Sequence, residues 1–319
     1  RNRIPQSICF TVLFFSATNS FILYYASQTY SEAFYLFLQS LMLYFFFNLI
    51  DVLKTNNKPL SQTWKNWLIA GGLIFLLSIT KNIAIVTIIA ACFYFLIQKQ
   101  FKNAIFIVAA FLCFAVPFQL AKTIIWKSDK LQISSQGNIL LQKDPYNFSK
   151  GQEDLSGFID RFTRNSQLYF SKHLYKILGF RTADAVSVNI PLTLLTYAIF
   201  LLGIYGAFYK NNYLLFIGVY IAVICGATFF ALQVRWDQGR LILIFIPLIL
   251  SLMLFGLYYV FKVLLSSNFQ PFFIILLIVI CSLSFYQTTK NVPEKIKALR
   301  HVLRGNKYYG LTEEWINYL

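Results

Sequence analysis

Acidic residues are scarce in this sequence: 12 Asp and Glu stand against 28 Lys and Arg in 319 residues, and charged residues of both signs make up only 13%. Soluble globular chains carry about a quarter charged residues, so an ordinary soluble domain is excluded. Histidine is rarer still, with two copies, and no HExxH motif occurs. His173, in a polar and aromatic stretch, is expected at the surface, and one histidine without a partner supports no catalytic triad. The five cysteines (Cys9, Cys92, Cys113, Cys225, Cys281) show no CxxC spacing. Neither a zinc site nor a disulfide framework is indicated, and they read as small core residues. GxGxxG and P-loop patterns are missing too, which argues against an enzyme driven by a cytoplasmic nucleotide. No short apolar segment with a small-residue cleavage site marks a signal peptide.

What is present is apolar: 58% of residues are hydrophobic and 18% aromatic. Measured against the ~20 residues that a bilayer core requires, the long runs predict an all-α polytopic membrane protein of about nine transmembrane helices. They lie near 7–25, 32–50, 64–80, 82–97, 102–126, 190–208, 213–233, 241–262 and 270–286. The stretch from Trp64 to Leu96 is far too long for one span of a ~30 Å core, and Thr80-Lys81-Asn82 lies at its middle. It is therefore split into a hairpin with Lys81 at its tip. Four segments follow: helices over 1–126, a long loop over 127–189, helices over 190–287 and a tail over 288–319.

The formal charge of +16 would point to nucleic acid in a soluble protein. In a membrane protein, connectors rich in Lys and Arg are what insertion selects, so no nucleic-acid partner is expected. One side of the predicted spans holds Arg1, Arg3, Lys54, Lys58, Lys65, Lys99, Lys102, Lys210 and Lys262 against Asp51, whereas the short connectors opposite hold Lys81, Arg235 and Arg240. The first side is read as cytoplasmic. The 127–189 loop and the tail then fall outside. Within the loop, Phe158, Phe162, Leu168, Phe170, Leu174 and Ile177 have helical spacing, which predicts an amphipathic helix on the membrane surface. In the tail, a helix is expected from Pro293 to Leu303. The abundance of Phe, Ile, Lys and Asn is that of an AT-rich bacterial genome, which makes the expected location a bacterial inner membrane.

Several polar residues converge on the outer side. Glu32 opens the second span after Ser31, where a carboxylate serves as a helix cap or, alternatively, positions a polar substrate or a metal ion. Lys81 lies between two barely sufficient spans, so its ammonium either snorkels outward or binds an anion, of which a lipid phosphate is the nearest at hand. Arg235-Trp236-Asp237-Gln238-Gly239-Arg240 is a very short connector with three charges. Asp237 and Arg240 can form a structural pair, or the two guanidiniums can join Lys81 in a phosphate clamp. Asn147-Phe148-Ser149 is a glycosylation sequon, meaningful only in a host with that machinery.

Three patches carry a family resemblance: Gln28-Thr29-Tyr30-Ser31-Glu32, Ala70-Gly71-Gly72 through Ser78-Ile79-Thr80-Lys81, and Arg240-Leu241-Ile242-Leu243-Ile244-Phe245-Ile246-Pro247. On these the chain resembles the GT-C class of polytopic glycosyltransferases, of the family 39 type that includes protein O-mannosyltransferases and lipid A aminoarabinose transferases. The resemblance implies transfer of a sugar from a polyprenyl-phosphate donor to a lipid, glycan or protein acceptor outside the cytoplasm. It implies further that Lys81 and Arg240 hold the lipid phosphate and that the loop covers the acceptor side; from the residues themselves, Arg235 is expected to join the phosphate clamp, and Glu32 and Asp237 to position the acceptor or a divalent metal ion. The family's catalytic aspartate follows its first span, yet no Asp precedes Asp51 here. The expectation is that an N-terminal segment carrying it has been lost and that this chain lacks turnover. Two rivals remain open: an O-antigen polymerase or ligase using Arg161, Arg164 and Arg181, and a transporter or flippase for an anionic lipid or solute.

Overall fold

The computed structural model describes residues 4–26, 31–55, 60–125, 140–144, 147–180, 188–232, 239–265 and 269–305. Nearly all of them are helical, and no strand occurs among them. The chain begins with α1 (Gln6–Thr18) and α2 (Ser20–Ala26), bent by 56°. Asn19 makes the bend: its Oδ1 accepts from the N–H groups of Phe21 and Ile22, capping α2, while its Nδ2 donates to the Ile177 carbonyl at 2.8 Å. Next come α3 (Glu32–Thr55), α4 (Leu60–Thr80), a 3₁₀ turn (Asn82–Ile85), α5 (Val86–Ile97) and α6 (Phe101–Ile125). Beyond residue 139 lie α7 (Leu155–Gln167), a π-helical turn (Leu168–His173) and α8 (Leu174–Ile177). The chain continues with α9 (Ile190–Lys210), α10 (Asn212–Ala231), α11 (Arg240–Leu243), α12 (Ile246–Leu265) and α13 (Phe269–Gly305).

Six of these helices are long and apolar enough to cross a membrane: α3, α6, α9, α10, α12 and the Phe269–Tyr286 part of α13. The bent α1–α2 pair makes a seventh if it is one span. The described residues of all nine predicted runs are helical over most of their length, but the expected count of nine spans is not reproduced by length and composition. The reasons are local. Lys65 and Asn66 lower the hydropathy of the first half of α4, and Asn82–Ile97 is a short apolar helix that opens with a 3₁₀ turn. The predicted run 241–262 is also interrupted, by a turn at Ile244–Phe245 between α11 and α12.

Two further expectations are corrected. The amphipathic helix predicted in the 127–189 loop is present as α7, with Leu155, Ile159, Asp160 and Arg164 exposed, but the turn that continues it is packed: Leu168, Tyr169, Phe170, Ser171, His173 and Leu174 are buried and only Lys172 among them is partly exposed. Asn165 Nδ2 donates to the carbonyls of Phe229 and Leu232, Thr196 Oγ1 to that of Phe170, and Phe162 lies against Phe230 at 4.8 Å between ring centroids. Thus α7 and α8 are wedged against α9 and α10. The tail helix expected over 293–303 is likewise not separate, because α13 runs unbroken through Pro293 to Gly305. Proline is tolerated in long membrane helices where neighbouring groups satisfy the carbonyl it frees.

Inside the bundle, Phe46 of α3 stacks on Phe216 of α10 at 4.1 Å, with Tyr94 and Phe95 of α5 around it. Small residues set the closest approaches, as expected where lipid supplies no hydrophobic drive between helices. A Cβ on Gly203 of α9 would lie 2.5 Å from the Leu252 carbonyl oxygen, and one on Gly256 of α12 would lie 2.6 Å from that of Ile199. Gly71 plays the same part between α4 and the Ala110 backbone of α6. All five cysteines are free. Cys225 is buried, but Cys9 and Cys113 are exposed on the outer surface of the bundle rather than in the core.

Candidate functional site

The bundle has two ends with different chemistry. At one, Tyr213 at the start of α10 donates to Asp51 near the end of α3. At the other, Glu32 at the start of α3 meets Lys81 just after α4. The ammonium donates to Glu32 Oε1 at 2.9 Å. The Lys81 side chain is 17% exposed and that of Glu32 only 6%. Both residues are positioned by helix ends. Ser31 precedes the first turn of α3, its carbonyl accepting the Tyr35 N–H at 2.9 Å, which leaves Glu32 in that first turn beside the helix's positive pole. Lys81 adopts extended backbone (φ −142°, ψ 127°), its N–H finishing α4 on the Leu77 carbonyl and its carbonyl starting the 3₁₀ turn on the Ala84 N–H. The break expected at Thr80-Lys81-Asn82 is therefore real, and it turns the lysine toward α3.

Below the pair the polar character continues into the bundle. Tyr35 and Gln39 follow Glu32 three and seven residues on in α3, so all three share one helix face. Gln39 Nε2 donates to the Tyr220 hydroxyl at 2.9 Å, and the Tyr35 and Tyr220 hydroxyls are 3.3 Å apart. All four side chains, Glu32 included, are buried. Phe245 closes this column, meeting Tyr35 at 6.1 Å and Tyr220 at 6.2 Å between ring centroids.

Phe245 also places Arg240. The two belong to one continuous stretch through α11, so Arg240 lies at the same end of the bundle as Glu32 and Lys81, partly exposed. Of the five residues expected to share this site, Glu32 and Lys81 are in direct contact and Arg240 lies at their end. Arg235 and Asp237 fall outside the described residues. His173 is buried rather than on the surface, and its ring is so close to Gly239 that a Cβ there would lie 3.0 Å from Nδ1. That glycine admits the histidine next to Arg240, a packing role that its position in the connector did not disclose.

The arginines of the long loop have other duties. Arg161 is buried, pairs with Glu153 at 2.6 Å, and donates to the carbonyls of Leu140 and Gln142 at 2.9 and 2.5 Å. It thereby ties residues 140–142 to α7. Arg164 pairs with Asp160 on the exposed face of the same helix. Arg181 lies outside the described residues. In the sequon, the Ser149 N–H and hydroxyl both donate to Asn147 Oδ1, a local turn. Among the described residues, no three His, Cys, Asp or Glu side chains gather as metal ligands would.

A groove of about 420 Å³ lies elsewhere. It runs between α1 and α13, lined by residues such as Phe10, Phe14, Leu277 and Phe285. Its lining is apolar apart from Ser7, Thr11, Cys281 and Ser282, and the chemistry of the Glu32–Lys81 pair is absent from it. No protein family, curated protein or solved structure matches this chain.

Proposed function

We propose that this chain is a membrane glycosyltransferase of the GT-C type, which moves a sugar from a polyprenyl-phosphate donor to an acceptor on the extracytoplasmic face. The observation that carries the reading is the Glu32–Lys81 pair at one end of a hydrophobic bundle, with Arg240 at that same end. An ammonium held at a membrane boundary is a site for a lipid phosphate. Phosphate is the leaving group in such a transfer, and it needs charge stabilisation more than protonation.

The orientation belongs to this proposal. Lys54, Lys99, Lys102, Lys210 and Lys262 lie at or near the helix ends away from Glu32, which makes that end cytoplasmic under the positive-inside bias. The contact between Lys81 and Glu32 also requires α4 to run antiparallel to α3 for most of its height, because α4 ends where α3 begins. At ~1.5 Å per residue its 21 residues reach about 30 Å, so α4 crosses despite its polar first turns. Taking α4, the bent α1–α2 pair and the 82–97 segment as crossings gives nine in all, where length and composition alone support six or seven. The membrane is taken to be a bacterial inner membrane.

One observation favours a second reading. Gln39, Tyr35 and Tyr220 place hydroxyl and amide groups deep in the bundle, where a transporter for an anionic solute would have them. The polymerase or ligase reading is weakened, because Arg161 and Arg164 are engaged with acids of their own segment.

Binding of undecaprenyl phosphate to the purified chain in nanodiscs, followed by native mass spectrometry, tests the proposal. Retention above bulk phospholipid that Lys81→Gln lowers at least about tenfold, with the variant still folded, is the expected result. Equal retention by parent and Lys81→Gln would overturn it. Flux of an anionic solute through proteoliposomes, in a chain that retains no polyprenyl phosphate, would establish the transporter instead.

A further inference from the structure

The two oxygens of Glu32 differ. Oε1 accepts from Lys81 Nζ, whereas Oε2, shielded from solvent, accepts no hydrogen bond from any described residue. An ionised carboxylate only accepts, with room for about four donors, and a buried acceptor left without a donor is costly. The other acids with described side-chain partners are already engaged: Asp51 by Tyr213, Asp144 by Lys150, Glu153 by Arg161, Asp154 by the start of α7 and Asp160 by Arg164. Glu32 alone among these combines burial with an oxygen that has no donor.

From this we infer that Glu32 Oε2 accepts a hydroxyl of the same ligand whose anionic oxygen Lys81 binds, so that the site selects a glycosyl phosphate over a bare lipid phosphate. The inference rests on the donor-phosphate reading and adds its specificity. A second cation on Oε2 is disfavoured, since the Lys81 ammonium already sits 2.9 Å from the same carboxylate. A hydroxyl carries a donor without a charge and fits beside the ammonium. The two oxygens of one carboxylate are adjacent, so a donor reaching Oε2 lies next to Lys81 Nζ. A headgroup meets both when its hydroxyl sits on the carbon next to the one that bears its phosphate, whose anionic oxygens then reach Lys81 while the hydroxyl reaches Oε2. A sugar joined through its anomeric carbon to phosphate, with a hydroxyl on the next ring carbon, has that arrangement. Discrimination follows because a site built to bond a hydroxyl is left with an orphaned buried acceptor when the hydroxyl is missing.

Three lipids tell the outcomes apart in nanodiscs: a polyprenyl phosphate, the same lipid carrying a hexose, and its 2-deoxyhexose counterpart. The unaltered protein is expected to retain the hexosyl lipid at least about tenfold more tightly than either of the others. Glu32→Met, which keeps side-chain volume and removes the acceptor, should bring the three to within about twofold of one another while bare phosphate binds more tightly, because Lys81 then has no competing carboxylate. The 2-deoxy lipid tests the inference on unaltered protein and so does not depend on the variant folding. Equal retention of all three lipids by the parent, or an undiminished preference in folded Glu32→Met, would overturn the inference while leaving the phosphate site of Lys81 standing. Retention of none of them would remove both readings together.

Discussion

Two ion pairs lie largely shielded from solvent at the same end of this bundle, each with one buried and one partly buried partner, and they differ in what each leaves over. In Arg161–Glu153 the guanidinium also serves the carbonyls of Leu140 and Gln142, so its donors are spent on the fold. In Glu32–Lys81, among the described residues, the ammonium has one carboxylate oxygen as its hydrogen-bond partner and the other oxygen has no donor. Both pairs pay for desolvation, yet only the first converts the cost into tied-down backbone. Burial alone therefore does not distinguish a structural charge from a ligand-binding one. The unfilled hydrogen-bonding capacity does.

The largest expected effect breaks the saturated pair. Arg161→Ala would leave the Glu153 carboxylate and two carbonyls without their donor, at a cost of about 3–5 kcal/mol. A thermal melt in detergent should drop well below the parent, with new proteolytic cleavage near residues 140–153. A melt within experimental error of the parent would show that the guanidinium does not hold that segment. Lys81→Gln should cost less stability than Arg161→Ala, since the ammonium is partly hydrated, while abolishing phosphate retention. Glu32→Gln/Lys81→Gln sharpens the point: replacing both charges at once removes the uncompensated buried carboxylate, so the double variant should melt above the single Lys81→Gln. A double variant that melts lower than either single change would mean that the pair is structural after all.

Between these and the surface lies Asn165, which is fully buried and whose amide bonds the carbonyls of Phe229 and Leu232. Asn165→Leu should cost about 1–3 kcal/mol by stranding the ends of α10, without altering lipid selectivity. A change in selectivity would instead link the α7 wedge to the Glu32 site.

How much of this could be read beforehand depends on the kind of signal. The break at Lys81 was legible, because a polar Thr-Lys-Asn triplet interrupts an apolar stretch too long for one crossing, and so was the shared side of Glu32 and Lys81, which follows from counting crossings. Their direct contact was not, since alternation of spans says which end a residue occupies and nothing of its neighbours there. The burial of Leu168–Leu174 was hidden for a similar reason. Helical spacing of Phe162, Leu168 and Leu174 identifies an apolar face, but whether lipid headgroups or other helices cover that face is a tertiary fact. Asn19 carried a cap signal that was lost inside a run read as one straight span, and Gly239 carried a packing signal that only the burial of His173 explains.

The smallest effects belong to charges that water already serves. Arg164–Asp160 is an exposed pair one helical turn apart, with side chains 61% and 54% exposed, so Arg164→Ala should cost no more than about 0.5 kcal/mol. Asp154 caps α7: the Gly157 N–H and the Ser156 hydroxyl hold its carboxyl below the usual carboxylate range. A group whose acidity is strengthened by folding contributes stability that is present above its unfolded titration range and is lost as pH falls through the folded one. Asparagine keeps an acceptor for the cap and has no charge to lose. The melting difference between the parent and Asp154→Asn should therefore be small near neutral pH and shrink as pH is lowered from about 7 to about 3. A difference that grows on acidification would mean that the carboxylate opposes the start of α7, and solvent-facing and buried acids in this molecule could then no longer be ranked by the donors they already hold.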